Sequence, residues 1–136
     1  MAQPIPRGVR NNNPLNIRHG SPWQGLRTEQ TDKEFCQFVS LEYGFRAAFK
    51  VIFTYLSKFP RIDTVEKIIN RWAPPSENNT EEYILSVCKF GYLNRQDIIR
   101  KQDKNRVCRL VWAMARVECG QQFSFGRIEN AYELAL

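Results

Sequence analysis

The chain is poor in the residues that metal and nucleophile chemistry need. It has one histidine, His19, and four cysteines, Cys36, Cys88, Cys108 and Cys119, none paired at metal spacing. That excludes the common zinc sets, and no metal or cofactor site is expected. A Ser-His-Asp or Cys-His site would have to use His19, which lies in a Gly-flanked loop. No Gly-rich phosphate loop has the required spacing. No apolar run approaches the ~20 residues of a membrane span. The opening MAQPIPRGVRNNN has no apolar stretch of the secretory kind, so the chain is expected to start in a cytoplasm and to act on a particle or to reach a wall by lysis. With no signal segment, the cysteines read as reduced, buried small hydrophobes.

What is present fits one domain over residues 1–136. Hydrophobic residues make up 43% and aromatics 12%, enough to build a core. The formal charge is +6 without a dense Lys/Arg block, which favours an anionic partner.

Residues 1–22, rich in Pro and Gly, read as loop. Within 23–39, Phe35–Val39 suits a strand and Thr28–Lys33 a polar turn, giving a small β-hairpin. Ser40 then caps a helix from Leu41 to Phe59, with apolar residues at 45, 48, 49, 52, 53 and 56 and Pro60 as its stop. Asp63-Thr-Val-Glu66 reads as a capping box opening a helix that carries Val65, Ile68, Ile69 and Trp72 and ends at Pro74-Pro75. Another helix spans Thr80 to Phe90, and Asn94–Lys101 suits a short one. Asp103 starts a longer helix through Glu118, with Val107, Leu110, Val111, Met114 and Val117 inward and Gly120 as terminator. A last helix covers Phe125–Leu134. The expected fold is mainly α, with a small β-element near the front.

Carboxylates are the best candidates for chemistry. Glycoside cleavage needs a carboxyl group held against an apolar wall, so that it keeps a proton to donate. Glu42 sits beside the front β-element between Leu41 and Tyr43, Glu77 follows Trp72-Ala-Pro-Pro, and Glu29 lies in the hairpin turn. Each also has an ordinary reading, as a first-turn helix charge, a cap or Arg partner, and a turn residue. Trp23, Tyr43, Trp72 and Tyr83 offer faces for sugar rings, though Trp72, at helical spacing with Ile68 and Ile69, reads first as core, and Trp23 suits a groove wall and a core lid equally. Arg18, Arg46 and Arg71 suit either anions or ion pairs with these carboxylates.

Several of these stretches together resemble a family of small phage and prophage proteins of virion-structural and lysozyme-like type. They are Arg7-Gly-Val-Arg-Asn-Asn-Asn-Pro-Leu-Asn-Ile-Arg18, Trp23-Gln-Gly25, Phe35-Cys-Gln-Phe38, Glu42-Tyr-Gly-Phe-Arg-Ala47, and Arg71-Trp-Ala-Pro-Pro-Ser-Glu-Asn-Asn-Thr80 with Tyr83. The match covers about residues 7–90, with Leu15 where the family form has Gly; the helices of 91–136 lie outside it. More distantly, Asn13–Arg18, Phe35–Arg46 and Thr80–Tyr83 look like segments of the flagellar-type glucosaminidases. The resemblance implies a lysozyme-like domain whose groove takes a peptidoglycan glycan strand and cleaves it by carboxylate acid/base chemistry, as a glycosidase or lytic transglycosylase. On that reading of the function the catalytic candidates among the carboxylates are Glu42, then Glu77, then Glu29. Asn11, Asn12, Asn16, Arg18, Trp23, Tyr43, Arg46 and Tyr83 would bind substrate.

The glucosaminidases carry their acid upstream of the Asn-rich segment, where this chain has no acidic residue. Another carboxylate must take that role, or the chain is a non-catalytic virion structural or wall-binding protein that contacts other virion proteins. A nucleic-acid-binding module, suggested by the charge and the Arg/Asn-rich front, is the third reading.

Overall fold

The computed structural model describes residues 5–136. Its helices are α1 (Arg7–Arg10), α2 (Leu41–Ser57), α3 (Val65–Trp72), α4 (Thr80–Gly91), α5 (Lys104–Cys119) and α6 (Phe125–Ala135). The chain is mainly α-helical, as its periodicities require. None of these helices is long and apolar enough to cross a membrane.

Helix α5 is the centre. Val107, Cys108, Leu110, Val111, Ala113, Met114 and Ala115 are all buried, so it is apolar nearly all round. It packs between α4 and α6, while α2 lies along α6. The Asp103 carboxylate accepts from Arg106 N at one end, and Gly120 at φ +71° closes the other in the left-handed conformation that glycine adopts freely. Helix α2 buries Phe45, Phe49, Ile52 and Phe53 against this centre. Each such side chain contributes about 1.5–3 kcal/mol of burial. All four cysteines are free; Cys88 is half-buried and the other three are buried.

Five expectations need correction. The front is not wholly loop, because Val9 and Arg10 N–H both bond to Pro6 O and close the single turn of α1. No hairpin forms among the described residues. The segment has only the isolated bridges Arg18–Phe35 and Leu26–Phe38. Side-chain amides replace the strand ladder. Asn13 Nδ2 donates to both Ile17 O and Cys36 O while its Oδ1 accepts from Ile17 N, and Gln37 Oε1 accepts from Thr31 N.

The cap of α3 is Thr64, whose hydroxyl accepts from Lys67 N at 3.1 Å, rather than Asp63. Asp63 O is taken by Ile99 N, and Asp97 O by Val65 N. Those bonds lay residues 97–99 along the start of α3, after a turn that Asp97 N closes on Asn94 O, which is why that stretch is not a helix. Helix α2 stops at Ser57, two residues before the expected Phe59. Lys58 is already extended, in keeping with the bias against helix just ahead of Pro60.

The Asn-rich front is held directly on the helices. A Cβ on Gly44 of α2 would lie 2.1 Å from Asn12 O, so only a bare backbone fits there. Cys119 Sγ, at the end of α5, bonds to Pro14 O at 3.2 Å. Leu15, Ile17, Cys36 and Phe38 enter the core beside it.

Candidate active-site groove

Three depressions run into one another across the face where the front segment meets α3, α4 and α5. The first, about 320 Å³, has aromatic walls from Trp23, Tyr55 and Trp72. It shares Asn16, Arg18 and Trp72 with the second, about 300 Å³, which also holds Glu77 and Glu118. The second shares Asn78 with the third, about 370 Å³, lined by Tyr83, Phe90 and Arg116 among others. The result is an elongated groove suited to a polymer rather than to a compact ligand.

Glu118 stands in the middle of it. The α5 stripe through Val107, Val111 and Met114 continues, at helical spacing, to position 118. A carboxylate therefore follows the inward face out of the core and into the groove. Asn16 Nδ2 donates to its Oε1 at 3.3 Å, and the Tyr83 hydroxyl donates to its Oε2 at 3.0 Å. Among the described residues no ion pair reaches it. Part of the side chain is open to the groove, yet its carboxyl is enclosed enough that burial raises its pKa above the usual carboxylate value. The donors Tyr83, Asn16 and Trp72 pull the other way and only partly offset it. The C-terminal end of a helix also disfavours a negative charge. Tyr83 is itself pushed well above the ordinary tyrosine value by burial and by the neighbouring carboxylate, and so remains a neutral donor. The arrangement sets a carboxyl with a raised pKa beside aromatic walls in an open groove.

Of the residues singled out in the sequence, Asn16, Arg18, Trp23, Glu77 and Tyr83 line this groove. Trp72, whose reading was divided between sugar platform and core, is half-buried and faces it. The others serve elsewhere. Glu42 is held by Arg127 at 2.9 Å and lines none of the three depressions. Glu29 is exposed in its turn. Asn11 is buried between Asp32 and Gln37, and Asn12 donates to Phe38 O. The Tyr43 ring covers Gly25, and Arg46 donates to Leu134 O. Glu118 is the residue that sequence reading passed over. Its signal was a charge on an otherwise apolar helical stripe. Among the described residues, no group of three or more His, Cys, Asp or Glu is placed to hold a metal ion.

No family model matches the chain. It is 36% identical over 134 residues to Protein P5 of Pseudoalteromonas phage PM2, an alignment covering 93% of this chain and 80% of that protein. The chain belongs to the P5 family. It is therefore a phage-type protein, in agreement with the phage resemblance of its front segment. The alignment extends well beyond residues 7–90, so P5 likeness takes in most of the helical body as well as the Asn-rich front.

Proposed function

We propose that this P5-family protein is a muralytic enzyme whose groove binds a peptidoglycan glycan strand and whose Glu118 is the general acid. The observation that carries this reading is a partly buried carboxyl, with no ion pair among the described residues, at the midpoint of an elongated groove with aromatic walls. Glu118 would protonate the glycosidic oxygen as the bond to the sugar C1 breaks. The exposed Glu77, on the wall of the same depression, would face the oxocarbenium-like centre or activate the incoming water. Trp23 and Trp72 would stack on sugar rings, and Arg18 would meet anionic groups of the strand. A net charge of +6 favours approach to an acidic wall. A phage-type protein of this kind has its use in the virion or at the cell wall during entry or release.

The test is incubation of the purified protein with peptidoglycan, with soluble fragments identified by mass spectrometry. Released muropeptides with reducing ends indicate hydrolysis, and 1,6-anhydro ends indicate transglycosylation. Absence of release from a preparation that binds the glycan would leave a wall-binding protein and refute the enzymatic reading.

A further inference from the structure

Asn16 Oδ1 is buried without a hydrogen-bond partner, while the same amide's Nδ2 donates to Glu118 Oε1 at 3.3 Å. An unpaired buried acceptor is costly and unusual. A proton on Glu118 would give that acceptor a partner. A protonated Glu118 must place its O–H against an acceptor, and the bonds around it come from donors. Trp72 offers only an N–H. If Tyr83 turned to accept, its own proton would leave the acceptor it now has, Glu118 Oε2. The Asn16 carbonyl is the remaining acceptor on the same side chain, and a half-turn of the amide exchanges its oxygen with its nitrogen in nearly the same place.

We propose that the Asn16 amide turns over with the proton on Glu118, donating from Nδ2 to the carboxylate and accepting at Oδ1 from the carboxylic acid. Asn16 is then a positioning residue. It holds the resting acid's proton, yields it when a substrate oxygen competes, and steadies the carboxylate that remains. The proton passes from Glu118 to the leaving oxygen and the amide turns to donate from Nδ2; it turns back when water returns a proton to Glu118. The backbone makes the amide the moving part. Asn16 sits at φ +53°, and its N–H is fixed on Asn13 O at 3.0 Å. Among the residues that tolerate this conformation readily, Gly has no side-chain amide and Asp can only accept when ionised. The charged and titratable groups around Glu118 are Arg18 and Glu77 on the groove wall, Tyr83 from α4, and Arg116 and Cys119 on α5 itself.

The inference rests on Glu118 being the acid, but its test needs no turnover. In protein labelled with ¹⁵N and with ¹³C at the Glu carboxyl, the coupling across the hydrogen bond from Asn16 Nδ2 to the Glu118 carboxyl carbon is followed through the Glu118 titration. We expect it above the midpoint and lost below it. A coupling present on both sides, or on neither, overturns the proposal. Asn16→Gly keeps the backbone conformation. It should move the Glu118 midpoint by less than about one unit, because the amide served both forms, whereas a larger rise identifies a fixed donor and also overturns it. If no glycan is cleaved while the coupling switches, the proposed activity fails and the Asn16–Glu118 relation stands.

Discussion

Tyr83 donates its hydroxyl to Glu118 Oε2 across 3.0 Å, joining α4 to the last turn of α5 beneath the groove. The bond favours the charged carboxylate, while the burial that surrounds it favours the acid. Burial dominates, so the carboxyl's pKa is raised in a place open to the groove.

Glu118→Gln keeps the shape of the side chain but has no acidic proton to give. Release of peptidoglycan fragments should fall by roughly 10²–10⁴. Binding to insoluble peptidoglycan and the far-UV CD spectrum should stay close to wild type. The same substitution at Glu42, which is tied to Arg127, should leave release within about threefold.

Tyr83→Phe removes a donor to the carboxylate. The Glu118 pKa should rise further, by up to about one unit. Loss of activity at high pH reports loss of the acid's proton, so the descending limb of the pH–rate profile should move to higher pH.

Stability should respond to pH in opposite senses at two carboxylates. Glu118 has a folded pKa above the ordinary 4.5, so the folded state holds its proton longer than the unfolded chain. Its contribution is complete below 4.5 and is lost as pH rises through the folded value. Asp32 is held well below the ordinary 3.8, chiefly by the hydrogen bond from the Arg7 guanidinium. Its contribution is present above that value and is lost as pH falls toward the folded one. Thermal melts across pH should show a flatter alkaline side for Glu118→Gln and a flatter acid side for Asp32→Asn.

Gly44→Ala places a methyl group 2.1 Å from Asn12 O, on backbone that has little room to shift. It should cost about 1–3 kcal/mol or more in denaturant unfolding. Gly126→Ala, whose added carbon meets nothing nearer than Ser124 Oγ at 3.8 Å, should be neutral or stabilising by about 0.5 kcal/mol.

Thr64→Ala removes the hydroxyl that accepts from Lys67 N and should cost about 1 kcal/mol. Asp63→Ala, which leaves the backbone bond from Ile99 N to Asp63 O in place, should cost less.

Helices α2 to α6 and most of their ends were determined by the sequence alone. The period of Phe45, Ala48, Phe49 and Ile52, the cap at Asp103 and the stop at Gly120 are local, and helix formation is governed by local spacing. The phage affinity of the front segment was likewise carried by its own residues.

Tertiary structure decided the rest. Asn16 meets Glu118 from 102 positions away, and nothing within a few residues of either encodes that meeting. The same distance explains why Glu42 was favoured in the sequence: its neighbours Leu41 and Tyr43 were visible, and Arg127 was not. The hairpin failed for a related reason. Alternation marks residues able to pair as strands, and Arg27 N to Gln37 O and Val39 N to Gly25 O do pair, but the Gln30 side chain takes Gln37 N and the Asn13 side chain takes Cys36 O, so no ladder extends from them. A carboxyl acquires a raised pKa from what surrounds it in space. Glu118 read as a helix end until the fold enclosed it between the Asn-rich segment, Trp72 and Tyr83.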